Sequence, residues 1–168
     1  MRYQPVVPVW RMTALTGLMT VSALFLGCET ADDVCGDRFA NASSFSSIET
    51  PDEYISGVER TTDDGTYLVT LVRSTPTPKF TDDYTWIVTV EDSSCAVVND
   101  VHVKAEPTMP QHGHGTTPEF TEATLDTADQ YTLVDMDLFM PGVWQIEIEV
   151  EAEDGTSDKV SWFFDLLG

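Results

Sequence analysis

The chemistry-bearing residues of the chain concentrate in Glu106 to Pro118, where Met109, His112 and His114 stand among three prolines and two glycines. Thioether sulfur is a soft ligand that selects Cu(I), and neutral imidazole serves either copper oxidation state. Met109, His112 and His114 are therefore candidate metal ligands. Gly113 and Gly115 would let the backbone fold around an ion, and the prolines would limit the entropy lost on ordering. A plainer reading stands beside this one. Methionines next to aromatic residues commonly fill cores, and two histidines in a polar loop can be solvated or can hydrogen-bond the loop in place. The complete four-ligand spacing of a structural zinc site is absent.

Other chemistry has little to work with. The sequence has no GxSxG elbow, no Walker loop, no HExxH and no CxxC. Gly113-His114-Gly115 begins like a dinucleotide-binding loop but has Pro118 where a third glycine belongs. Asp63-Asp64-Gly65 and Asp82-Asp83 lack the ligand spacing of a calcium loop and read as turns. Asp135 and Asp137 alternate outward from a strand carrying Val134, Met136 and Leu138, and His102 reads as a surface residue. No nucleophile and base can be paired, so no enzymatic activity is expected.

The elements that would position the loop are strands. From Glu53 onward, short runs of β-branched and aromatic residues recur between turn signals, near 54–59, 66–73, 84–91, 95–105 as one bent strand or two, 119–125, 130–138, 142–152 and 158–166. The clearest is Val143 to Glu151, where Trp144, Ile146, Ile148 and Val150 fall on one face and Gln145, Glu147, Glu149 and Glu151 on the other. Val160, Trp162, Phe164 and Leu166 alternate in a return strand after the Asp154-Gly155 turn. Trp86, Val88 and Val90, and Tyr67, Val69 and Leu71, supply further inward faces. The expectation is an all-β antiparallel sandwich of about seven to eight strands, with no competing helix.

The N-terminus has a different character. Arg2 and Arg11 precede an uncharged apolar run, Met12 to Gly27, too short and too rich in Thr and Gly for a membrane span. Leu24-Phe25-Leu26-Gly27-Cys28 resembles the lipobox of bacterial lipoproteins, with Phe25 departing from the usual aliphatic residue. This implies a signal peptide over 1–27 and lipidation at Cys28, whose acyl chains would anchor the chain at about 0.8 kcal/mol per buried CH₂. An ordinary cleaved signal with an incidental Cys28 is the alternative. Residues 28–52, polar and Ser-rich, read as a tether before a domain at 53–168. With Cys28 acylated, Cys35 and Cys95 remain as a disulfide pair or as two free thiols. A bridge closing that loop would contribute about 4 kcal/mol in the chain-entropy model. The net charge of −21 becomes −23 without the two signal arginines. Such a surface repels phosphate backbones, so no nucleic-acid partner is expected.

The loop and a downstream element together resemble the YtkA-like family of small exported domains. Its Met-Pro-x-His-Gly-His-Gly loop stands here as Met109 to Gly115, and its Met-Pro-Gly-x-Trp element as Met140-Pro141-Gly142-Val143-Trp144. The Trp86-x-Val88-x-Val90 strand, Asp92 and Cys95 to Val98 fit the family's opening, and the resemblance covers roughly residues 66 to 166. It implies an immunoglobulin-like sandwich related in outline to exported copper-handling domains. If the fold brings the two elements together, Met140 joins Met109, His112 and His114 as a candidate copper ligand, with Met136 a weaker addition. The resulting expectation is a non-enzymatic lipoprotein of the bacterial cell envelope, lipid-anchored to a membrane and facing the periplasm, with copper as its candidate cofactor. Its partners would be the membrane and a copper protein or another envelope protein. A structural or protein-interaction module without metal is the alternative.

Overall fold

The computed structural model describes residues 31–42 and 46–168, so the signal segment and Cys28 lie outside the described residues. The elements run α1 (Ala31–Asn41), β1 (Val58–Thr61), β2 (Tyr67–Thr75), β3 (Asp82–Asp92), β4 (His102–Met109), β5 (His114–Gly115), β6 (Thr121–Glu122), β7 (Thr124–Leu125), β8 (Tyr131–Leu138), β9 (Gly142–Glu151) and β10 (Ser157–Leu166). One sheet has the order β1-β2-β3-β8-β7 and the other β10-β9-β4-β5, with β6 also paired to β4. All strand pairings are antiparallel, giving the expected sandwich.

Period-two alternation does the sorting. On β9 the inward face is Trp144, Ile146, Ile148 and Val150, all fully buried, while the intervening Gln and Glu residues stay partly in water. β10 pairs with it along its whole length and sends Val160, Trp162, Phe164 and Leu166 into the same layer. From the facing sheet Trp86 meets Trp162 and Phe164 edge to face, with ring centroids 6.0 and 5.7 Å apart. Such pairs add to the burial of their own area.

Three stretches depart from the sequence expectation. Residues 31–41 form a helix where a tether without a helix was expected. An isolated helix this short is marginal in water; of the tertiary ties that hold it, the sequence offered the Cys35–Cys95 pair but not the ion pairs of Arg38. Cys35 and Cys95 are joined in a disulfide with Cα atoms 5.8 Å apart. Arg38 donates to Glu59 and Glu91 at 2.6 and 2.7 Å, and Thr61 Oγ1 donates to the Phe39 carbonyl. Secondly, the stretch expected over 95–105 forms a regular strand only from His102: the chain turns at Ser93–Ser94, where the Asp92 carboxylate accepts from the Ser94 and Ala96 amides, and Val97 makes only an isolated bridge back to Glu91 before β4 begins. Thirdly, β8 slips register between Leu133 and Met136, opposite Trp86 and Tyr84. Val134 is therefore exposed rather than inward, and Asp135 adopts a positive φ of 57° at the bulge.

β10 is a sheet edge ten residues long, and such edges invite pairing with other chains. Here it is sealed by side chains and loops. The Asp52 amide donates to the Phe163 carbonyl, and the Asp52 carboxylate accepts from the Phe163 amide and from Arg60. Arg60 also donates to Ser46 and to the Ser161 carbonyl, and its guanidinium lies over the Trp162 ring. Further along, buried Asp158 accepts from Thr62 Oγ1 and from the Asp64 and Thr66 amides. Burial would raise the Asp158 pKa, but these hydrogen bonds outweigh it and hold the group below the ordinary carboxylate value.

Candidate functional site

β4 runs out of the core at Met109 and turns at once. The His112 and Gly113 amides both donate to the Met109 carbonyl, at 3.0 and 2.9 Å, and β5 folds back so that His114 pairs with Met109 and Gly115 with Thr108. The return is close enough to demand glycine: a Cβ on Gly115 would sit 2.6 Å from the Pro107 carbonyl oxygen. The loop is thus a tight hairpin built on the end of a core strand, which holds both imidazoles at one pole of the sandwich.

The second element arrives at the same place. Trp144, fully buried on β9, donates from Nε1 to the Met140 carbonyl at 2.8 Å and so fixes the turn that precedes the strand. Gly142 follows with φ 124°, and a Cβ there would come within 2.9 Å of Met109 Cε. The Met109 methyl thus lies directly against this turn. Above it, the His114 ring stacks on Phe139 with centroids 5.8 Å apart and an interplanar angle of 18°, and meets the edge of Trp144 at 6.3 Å. The His112 ring is 5.9 Å from that of His114.

The fold therefore brings Met109, His112, His114 and the Met140 turn to one end, in unequal settings. Met109 is fully buried and belongs to the main core cluster, Met140 is half-buried against it, His114 is half-buried and His112 is exposed. A shallow cleft of about 300 Å³ lies between Thr108, Met109, Pro110, Gly113, His114, Gly115 and Glu119. His114 Nδ1 lies 3.3 Å from the Gly115 carbonyl. A proton on Nδ1 directed at that carbonyl leaves the Nε2 lone pair for a ligand. Met136 is buried in the core on β8, and His102 is exposed at the start of β4.

The donor chemistry discriminates among ions. Among the described residues there is no group of three or more His, Cys, Asp or Glu placed to hold a metal. A hard cation or a tetrahedral zinc has too few ligands here. Two imidazoles supplemented by thioethers suit Cu(I), which takes soft sulfur. Sequence reasoning missed the aromatic wall made by Phe139 and Trp144. Phe139 directly precedes Met140, and an exposed aromatic next to a candidate ligand was the available signal. It also missed a second cleft of about 390 Å³ beside β4, β6 and β7, where Lys104 pairs with Glu149 at 3.0 Å and lies over Phe120.

A model of the YtkA-like family matches residues 61–149, a span containing both the histidine loop and the Phe139 to Trp144 element. No curated protein matches the chain.

Proposed function

Since the chain belongs to the YtkA-like family, we propose that it is a lipoprotein of the bacterial cell envelope whose sandwich binds Cu(I) at the His112/His114 pole. The observation that supports this most is convergence. The only two loop histidines and the turn carrying Met140 are separated by about thirty residues of sequence, yet His114 stacks on Phe139 and Met109 packs under Gly142. In this reading His112 and His114 supply imidazole, Met109 supplies sulfur from the cleft floor, and Met140 supplies it from the neighbouring turn. Phe139 and Trp144 restrict water on one side of the His114 ring.

Methionine methyl resonances test the ligand set. Removal of the signal segment takes Met1, Met12 and Met19, leaving Met109, Met136 and Met140. Cu(I) titration of the isotopically labelled domain should move the Met109 and Met140 methyl signals and leave Met136, which lies on β8, in place. No movement, or equal movement of all three, contradicts the assignment.

Anchoring rests on Leu24 to Cys28 and has its own test. Cys28→Ala should remove acyl labelling and shift the protein from the membrane to the soluble fraction. Unchanged membrane association would refute lipidation at this residue.

A further inference from the structure

We infer that the clamped helix α1 holds the sandwich with its His112/His114 pole away from the membrane, so that the loop is presented to aqueous partners. The inference rests on lipidation at Cys28 as proposed above, and not on the identity of the metal. The strands define two poles. Asp92, His102, Glu151 and Ser157 lie at one, and Asp82, Met109, Leu138, Gly142 and Leu166 at the other. The two sheets share this polarity, since Phe80 bridges to Leu167 at the histidine pole and the Asp64 and Thr66 amides donate to Asp158 of β10 at the opposite one. Along the eight residues of β4 the poles are about 25 Å apart, at roughly 3.3 Å per residue.

The disulfide and the hydrogen bonds that Cys35, Arg38 and Phe39 make with described residues lie toward the pole opposite the histidines. Cys35 is bonded to Cys95, whose amide donates to the Asp92 carbonyl at the end of β3. Arg38 is held by Glu59 and by Glu91, the residue before Asp92. Phe39 accepts from Thr61, which pairs with Leu68 at the same end. Only three residue steps separate Cys28 from Ala31, a reach of about 10 Å when fully extended. The lipid is therefore leashed to the Cys95 pole on a tether shorter than the domain.

Charge opposes the alternative in which the sandwich lies flat on the lipid. Four of the six basic side chains after the signal, Arg38, Arg60, Lys104 and Lys159, are already paired with carboxylates. Of the remaining two, Lys79 shares its pole with Asp82, Asp83, Asp137 and Asp165, and Arg73 stands exposed at mid-sheet opposite Ile87. Among the described residues no basic face is left to bind anionic headgroups.

Energy transfer in vesicles decides the orientation. With Cys28 acylated and Cys35 bonded to Cys95, a cysteine added by Gln111→Cys or by Glu153→Cys is the sole free thiol for a donor dye. Gln111 is exposed in the histidine loop and Glu153 is exposed in the β9–β10 turn at the other pole. The lipidated protein is added to phosphatidylcholine vesicles carrying an acceptor on the headgroup. Transfer from position 153 should be several-fold more efficient than from 111. Equal transfer, or more from 111, in protein that floats with the vesicles overturns the orientation while leaving the anchor intact. Protein that carries no lipid and does not float refutes the anchor, and the orientation falls with it. In a Cys35→Ser/Cys95→Ser variant shown to be folded by circular dichroism, the contrast between the two sites should shrink. An undiminished contrast would show that the bridge is not what sets it.

Discussion

Asp52→Ala should destabilise the domain by about 3–5 kcal/mol, the cost of stripping the partner from a buried ion. Arg60 is 6% exposed, and its guanidinium is held by the Asp52 carboxylate, Ser46 Oγ and the Ser161 carbonyl. Burial pulls the Arg60 pKa below its ordinary value, and Asp52 is the opposing charge that counteracts it. Among the described residues one guanidinium nitrogen, Nε, has no hydrogen-bond partner, so the site has little tolerance for another loss. Asp52 also accepts from the Phe163 amide on β10, so the alanine variant unseals the sheet edge as well.

A double substitution separates the ion pair from the seal. Asp52→Ala/Arg60→Met removes the unpaired charge and keeps a flexible apolar side chain over Trp162. It should lose less stability than Asp52→Ala alone, because the uncompensated charge is gone. Urea denaturation followed by tryptophan fluorescence measures both. A double variant less stable than Asp52→Ala would show that Arg60 stabilises by means other than its pairing, and a loss below about 1 kcal/mol for the single variant would place the pair among surface ion pairs.

The strands of the core were legible because one face is dry and the other is wet, as in Trp144 to Glu151, where every second residue answers the same question. Legibility ended where that rule stopped governing. α1 contains Ala, Gly, Asp and Asn without a clear apolar stripe; its order comes from the Cys95 bridge, which the cysteine count had offered, and from Glu59 and Glu91, residues far away in sequence that nothing local marked. Val134 looked inward by simple alternation, but the bulge at Asp135 inserted an extra residue and reversed the parity. Arg60 and Asp52 carried no periodic signal at all. Their pairing depends on a segment crossing the edge of β10, which no local pattern specifies.

The candidate site divides in the same way. Met109, His112, His114 and Met140 could be named from residue types and from the two family elements, and the fold places them at one pole. What the sequence could not supply was their depth. Met109 had been open to two readings, core filler and ligand, and its side chain is fully buried in the core cluster at the strand end that borders the cleft beside His114. The same side chain can do both, since a thioether is apolar enough for a core and soft enough for Cu(I). Nor did spacing reveal that Phe139 would stack on His114, a contact that orients the ring.

Competition against a Cu(I) chelator is the most direct measurement of the central claim. The domain freed of its signal segment should withdraw Cu(I) from the chelator with one ion bound per chain, and His112→Ala/His114→Ala should abolish that competition, an affinity loss of at least about 100-fold. The variant should remain folded, because His112 is exposed and His114 only half-buried at a loop end. Binding should survive raised salt, since short-range ligation is not screened as long-range attraction to an acidic surface is. A wild-type domain that fails to compete, or a folded double-histidine variant that competes as well as wild type, would contradict the copper site and leave the metal-free interaction module as the account of this pole.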